Sequence, residues 1–245
     1  MTRRILYPVT NLSYYADPDE RTGFRLSELP HACDLFEVDE YDRRIVRLPK
    51  NSHLAQLAAR QAKIVMEKIE TERLVLRNFR KHDAAGLLAY LHQPVANCFL
   101  SLALQDMSEA EAEAQKRGGD DGHIAVCLKE SDRLIGDLFA VEEDDTFSVG
   151  WNFNPAFGGQ GYAFEAATAM VAYLFTTKAA RRLYAYVEDN NTSSQRLCEK
   201  LGMRREGLFR EFISFKKDDK GVPIYENTMQ YALLRKEWEA ARARM

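Results

Sequence analysis

Three glycines within four residues, Gly158, Gly159 and Gly161, stand between a predicted strand and a predicted helix. The start of a helix has about four backbone N–H groups without partners and a partial positive charge of roughly half a unit. Glycine lets such a backbone approach an anion because no Cβ intervenes. The spacing matches neither a Walker A loop nor the Gly-x-Gly-x-x-Gly dinucleotide turn. The stretch is therefore either a diphosphate-binding turn or a strand-to-helix turn without a ligand.

A second polar stretch, Asn191-Thr-Ser-Ser194, also follows a predicted strand. Asparagine and serine are preferred at helix N-caps, because their side chains accept hydrogen bonds from free backbone N–H groups. The helix that follows ends at Gly202. By itself, the stretch indicates a capped helix start and nothing more.

The elements that must position these stretches follow a regular pattern from residue 67 onward. Alternating polar and apolar residues over 73–77 predict a half-buried strand. The helix predicted at 108–116 begins with a capping box of Ser108 and Glu111. The order of strand, helices, three antiparallel-type strands, helix, strand, helix and hairpin predicts an α+β fold with a mixed, mostly antiparallel sheet. Besides 108–116, helices are predicted at 83–91, 162–176 and 193–201, and strands at 123–129, 134–142, 146–153, 183–187, 209–215 and 226–234.

The first 66 residues have an irregular pattern interrupted by prolines. One helix is predicted there, over 52–66, with Asn51 or Ser52 as its cap. We therefore divide the chain into an N-terminal extension, 1–66, and one domain, 67–245. A segment of this length is marginal for a core of its own, so we expect it to pack on the rest of the chain or on a second subunit.

The composition excludes several classes of protein. The 245 residues carry 34 Lys and Arg against 37 Asp and Glu, a formal net charge of -3, which disfavours a general nucleic-acid binder. The sequence has no apolar run long enough for a membrane helix and no recognisable signal peptide. Its five histidines lack metal-ligand spacing, so no metal is expected. Four cysteines without CxxC spacing indicate reduced thiols and a cytoplasmic location.

Taken together, four segments in order resemble the GNAT superfamily of acyl-CoA N-acyltransferases, and most closely its ribosomal-protein alanine N-acetyltransferase branch. Residues 69–77 resemble the first strand of that branch, and Gly161-Tyr-Ala-Phe-Glu165-Ala resembles its cofactor turn. Residues 191–203 resemble its Asn-x-x-Ser…Glu-Lys-x-Gly-Phe helix, and 231–238 its closing strand. The resemblance covers about residues 67 to 240. One departure is Gly158, which stands where Arg, Gln or a bulky aromatic residue is usual.

The resemblance implies acetyl-CoA as co-substrate and a pair of strands that splay apart to hold it. Its pantetheine arm would pair with the strand at 151–153, which would diverge from the strand at 183–187. A backbone N–H there would serve as the oxyanion donor. The residues implied to bind acetyl-CoA are Trp151, Asn152, Phe153, Gly158, Gly159, Gln160, Gly161, Tyr162, Ala163, Asn191 and Ser194.

The resemblance also implies an acid that protonates the leaving thiolate. Many members use a tyrosine at the position of Cys198, whereas the ribosomal-protein branch is thought to use a serine at the position of Ser194. We expect Ser194 to be the acid, with Cys198 as the alternative; Cys198 could instead be a small buried apolar residue. The base is left open, because the strand at 146–153 has no carboxylate and the position of Glu165 suits stabilisation of the helix dipole.

The acceptor is expected to be a primary amine. An α-amine, with a pKa of about 7.7–8.0, needs less deprotonation than a lysine near 10.4, which favours a protein N-terminus. A small-molecule amine such as an antibiotic or polyamine is the first alternative, and a non-catalytic acyl-CoA-binding module is the second. No membrane partner is expected, and the protein is expected to be a monomer or homodimer.

Overall fold

The computed structural model describes residues 67–244 and three short strands of the preceding segment. The chain divides into two compact units, Met1–Ile64 and Val65–Met245. In the first unit, the strands β1 (Ile5–Tyr7), β2 (Phe36–Val38) and β3 (Ile45–Arg47) form an antiparallel sheet. The irregular sequence pattern had predicted no strands in this segment. The helix predicted at 52–66 lies outside the described residues.

The second unit is built on one eight-stranded sheet with the strand order β10-β11-β9-β8-β7-β6-β5-β4. Every neighbouring pair is antiparallel except β8 and β9, which run parallel. The mixed, mostly antiparallel α+β fold predicted from the sequence is thus confirmed. The strands are β4 (Ile69–Glu70), β5 (Leu74–Arg77), β6 (His123–Leu128), β7 (Leu134–Glu143), β8 (Thr146–Phe153), β9 (Arg182–Glu188), β10 (Arg204–Lys217) and β11 (Pro223–Leu234).

Helices cover both faces of this sheet, as alternation along β6 shows. Ile124 and Val126 belong to one buried cluster, whereas Ala125 and Cys127 belong to another. Because successive strand residues point to opposite faces, the two clusters lie on opposite sides of the sheet. The helices are α1 (Ala84–Leu91) and α2 (Met107–Gly118), which pack on the second cluster, then α3 (Tyr162–Thr176) and α4 (Thr192–Lys200), which pack on the first, and α5 (Arg235–Arg242) after the last strand.

Helix α2 begins one residue earlier than predicted, and the predicted capping box was wrong. Its N-cap is Asp106, whose side chain accepts a hydrogen bond from the Glu109 backbone N–H at 2.9 Å. Glu109 in turn accepts from the backbone N–H of Gln105 at 2.7 Å. Asp106 therefore caps the helix, and the Glu109 carboxylate bonds the residue before the cap instead of the cap itself, so the two bonds are not those of a capping box.

Gly136, near the start of β7, allows the close approach of β8. A Cβ at this position would lie 2.6 Å from Cδ1 of Phe153 and 2.7 Å from the carbonyl oxygen of Asn152. We expect Gly136→Ala to lower the free energy of unfolding by about 1–3 kcal/mol, the usual cost of overpacking. Urea denaturation measures the change.

Gly207→Ala is the matched control, because a Cβ there would lie 4.0 Å from its nearest neighbour, Phe209. Equal stability of the two variants would show that β8 shifts without cost.

Candidate active site

The parallel strands β8 and β9 separate after three residue pairs. Thr146, Phe147 and Ser148 pair with Arg182, Leu183 and Tyr184. On its other edge, β8 stays paired with β7 up to Phe153. The segment 151–153 therefore borders a gap in the sheet, and its backbone groups on that side have no strand partner. The splayed strand pair predicted from the sequence is confirmed.

One side-chain hydrogen bond links β8 to helix α4. The indole Nε1–H of Trp151 donates to Oγ of Ser194 at 3.1 Å. The backbone N–H of Ser194 donates to Oδ1 of Asn191 at 3.1 Å, so Asn191 is the N-cap of α4. The hydroxyl proton of Ser194 stays available for donation, and so does the side-chain amide nitrogen of Asn191. The structure thus brings together three of the predicted residues at one end of the gap.

Cys198 is separated from this group by burial. Its side chain is 0% exposed and belongs to the core cluster that contains Leu197 and Met203. Burial raises the pKa of the Cys198 thiol to about 12. A fully buried thiol does not reach a substrate in the gap, so the position favours the packing role of Cys198 over the role of acid.

The glycine-rich turn has the conformation of an anion-binding turn. Gly159 and Gly161 have φ angles of +74° and +82°, in the left-handed region that favours glycine. Gly161 is the N-cap of α3. Within the described residues, the backbone N–H groups of residues 159–163 donate no hydrogen bond. The turn therefore presents a row of free donors at the positive end of a 15-residue helix.

An ion pair made by Arg73, which lies between β4 and β5, holds this turn in place. Nε of Arg73 donates to Glu165 at 2.7 Å, and Nη1 donates to the carbonyl oxygen of Gln160 at 2.9 Å. The guanidinium also lies over the ring of Tyr162, 4.5 Å from its centre. Arg73 thus binds a carbonyl oxygen of the turn and occupies none of its N–H groups. No local pattern in the sequence indicates this function of Arg73.

Glu165 is fixed by this ion pair and by two further hydrogen bonds. It accepts from Oγ1 of Thr71 at 2.6 Å and from the backbone N–H of Arg73 at 2.8 Å. Partial burial raises the pKa of Glu165, but the bonds from Thr71 and Arg73 outweigh it and hold the pKa below its ordinary value. This carboxylate is therefore a structural group rather than a base.

A lowered pKa makes this stabilisation sensitive to acid. The contribution of Glu165 is complete above its unfolded pKa of about 4.3 and is lost as the pH falls through the lower folded value. We expect Glu165→Gln to reduce the free energy of unfolding by about 1–2 kcal/mol at pH 7. The difference from the unmodified protein should shrink below about pH 4, as urea denaturation at several pH values measures. A difference that is constant with pH would contradict the assignment.

Two properties of the described residues bear on cofactors and location. No helix among them is both long enough and apolar enough to cross a membrane. Residues 67–244 and the three short strands contain no group of three or more His, Cys, Asp or Glu side chains placed to hold a metal ion.

The fold and the gap define a class of protein, and comparisons with known proteins agree. The family model described as acetyltransferase (GNAT) domain matches residues 73–204. The uncharacterized N-acetyltransferase YnaD of Bacillus subtilis (strain 168) is 32% identical over 173 residues, covering 69% of this chain and 98% of YnaD.

Two solved structures show the same fold. A GNAT-family acetyltransferase from Bacillus anthracis has a TM-score of 0.62 and 28% identity, covering 69% of this chain and 99% of that one. The ribosomal-protein-S5-alanine acetyltransferase from Vibrio fischeri has a TM-score of 0.53 and 14% identity, covering 70% and 98%.

The chain therefore belongs to the GNAT family of acetyltransferases, as the sequence motifs predicted. It is an acyl-CoA N-acyltransferase, an enzyme that uses acyl-CoA and an amine as its two substrates.

Proposed function

We propose that the protein transfers the acetyl group of acetyl-CoA to a primary amine, with Ser194 as the acid. The observation that carries this proposal is the hydrogen bond from Trp151 to Ser194 beside the gap between β8 and β9. It fixes the serine oxygen where the two strands separate and leaves the hydroxyl proton free.

The free amides of residues 159–163 fit the diphosphate of coenzyme A. The unpaired edge of β8 at 151–153 fits the pantetheine arm, which would add to the sheet as an extra strand does. The amide nitrogen of Asn191 is the remaining donor for that arm, because its oxygen caps α4. Acetyl-CoA supplies the acyl group as a reactive thioester.

The catalytic groups of this chain then have distinct roles. Ser194 donates its proton to the departing thiolate, which requires hydrogen-bond reach between the two. A backbone N–H on the free edge of 151–153 stabilises the negative charge that develops on the carbonyl oxygen. Trp151 orients Ser194 by occupying one lone pair of its oxygen.

For the acceptor, we propose an α-amine of a protein N-terminus, which needs less deprotonation than a lysine side chain. No carboxylate lies on β8 to act as a strong base. A small-molecule amine is the second candidate, and the carboxylates of Glu188 and Glu226 favour it where the amine carries extra positive charge.

A thiol-release assay tests the proposal. Purified protein with acetyl-CoA and a panel of peptides and small amines should release free coenzyme A only when an acceptor is present. Binding of acetyl-CoA without turnover across the whole panel would contradict the enzymatic proposal and support a non-catalytic binding module.

A further inference from the structure

Glu188, the last residue of β9, is a buried carboxylate that the catalytic roles above do not use. Its neighbour Val187 lies in the core cluster with Leu197 of helix α4. Successive strand residues point to opposite faces, so Glu188 lies on the face of the sheet opposite α4 and Ser194. It is 6% exposed, and its Oε1 accepts a hydrogen bond from the backbone N–H of Cys98 at 3.1 Å.

A second carboxylate and a hydroxyl lie near Glu188 on β11. Glu226 accepts a bond from the side-chain amide of Asn97 at 2.5 Å, but its Oε2 is buried without a partner in the described structure. Thr228 is the register partner of Glu188, is 5% exposed, and also has a buried Oγ1 without a partner. Buried polar atoms without partners are rare in folded proteins, and two beside one carboxylate indicate a missing ligand.

The negative charge of these two carboxylates is not balanced by a nearby positive charge among the described residues. No Lys, Arg or His there lies within salt-bridge distance of Glu188 or Glu226, whose described side-chain partners are neutral. The Cys98 thiol faces both carboxylates. Burial, then the proximity of Glu188, raises its pKa far above the ordinary value, so it stays uncharged. A cationic ligand would supply both the missing charge and the missing donors.

An aromatic cluster continues the same face toward solvent. Tyr186 lies two residues before Glu188, and its ring is 6.1 Å from Phe209 and 5.9 Å from Phe212. Phe209 is the register partner of Thr228. All three aromatic side chains are exposed. Aromatic faces attract ammonium groups and also pack against alkyl chains.

We propose that Glu188 and Glu226 form the acceptor subsite for a primary amine that carries a second cationic group, with the aromatic cluster of Tyr186, Phe209 and Phe212 against its apolar stem. This inference rests on the proposed function. It places the amine and Ser194 on opposite sides of the gap, so the amine attacks from one face while the thiolate is protonated from the other. Both a polyamine and a protein N-terminus followed by a basic residue have the required chemistry.

A comparison of matched acceptors tests the inference. We expect kcat/KM to be at least about tenfold higher for 1,4-diaminobutane than for butylamine. The peptide Ala-Arg-Ala compared with Ala-Ala-Ala distinguishes a peptide source of the second charge from a polyamine.

The variants Glu188→Gln and Glu226→Gln should raise KM for the dicationic acceptors on the order of tenfold. Each glutamine keeps an oxygen that can accept the bond from Cys98 or Asn97, so the structural contact is preserved. Glu130→Gln, at an exposed turn, is the control and should leave KM unchanged for both monocationic and dicationic acceptors. The inference would be overturned if the variants raised KM equally for monocationic and dicationic acceptors. It would also be overturned if the unmodified protein showed no preference for the dicationic acceptors.

A binding measurement separates this inference from the proposed function. Calorimetric titration of 1,4-diaminobutane and of Ala-Arg-Ala into protein saturated with coenzyme A should show binding of at least one, weakened in Glu188→Gln. If neither binds, or if both bind the variant equally well, the subsite is refuted and the transferase proposal stands. Binding without turnover would preserve the subsite and refute the proposed function.

Discussion

Replacing Ser194 by alanine is expected to lower kcat about 100-fold or more, while the Kd for acetyl-CoA changes less than about threefold. The hydroxyl is the only group removed, and its interaction with the thiolate develops during the reaction rather than on binding. Steady-state thiol release gives kcat, and calorimetric titration gives the Kd. An equal loss of turnover and affinity would instead assign Ser194 to binding or to helix α4.

Two neighbouring substitutions sharpen this experiment. Ser193→Ala removes an exposed hydroxyl from the adjacent position and should leave both parameters unchanged. Trp151→Phe removes the indole N–H that donates to Ser194 but keeps an aromatic ring. It should lower kcat less than Ser194→Ala does, because the serine is still present but less well oriented.

Replacing Arg73 by alanine is expected to raise the Kd for acetyl-CoA on the order of tenfold. The change removes the bonds from its guanidinium to Gln160 and Glu165 and the contact over Tyr162. The turn must then become ordered when the ligand binds, and the entropy lost in that ordering weakens the binding. At saturating acetyl-CoA, kcat should be nearly unchanged. Calorimetric titration of acetyl-CoA measures the effect.

Arg80→Ala is the matched control for the lost positive charge. Arg80 is an exposed arginine whose described side-chain bond is to Asp132 and which has no described hydrogen bond to the glycine-rich turn. If both variants weaken acetyl-CoA equally, Arg73 acts through long-range charge. If neither does, the glycines alone determine the conformation of the turn.

Local patterns predicted most of the fold and part of the site. The predicted ranges of β8 and α3 agree with the structure at both ends, because alternation and the glycine punctuation mark their limits. The cap of α2 was misplaced because two Asx/Ser-x-x-Glu patterns overlap within six residues, 106–111. Propensity does not choose between such neighbours.

The site residues that were not predicted from the sequence act through contacts between segments that are distant along the chain. Arg73 and Glu165 are 92 residues apart along the chain, and nothing in the local sequence of either residue records the other. Glu188 ends β9, and its pairing with Thr228 of β11 joins residues 40 positions apart, which local patterns do not show. Asn97 and Glu226, 129 residues apart, are hidden for the same reason. Residue spacing in the sequence can predict a site that lies within one turn. A site formed by several strands can be predicted only when the strand order is known.

The three residue pairs between β8 and β9 form a seam in the eight-stranded sheet. Five strands lie on one side of this seam and three on the other. Each half is continuous, since β8 is paired with β7 and β9 with β11 along their lengths. Three residue pairs and the shared core cluster therefore hold the two halves together, so a change in the width of the cleft would break few backbone bonds within either half but would disturb that core.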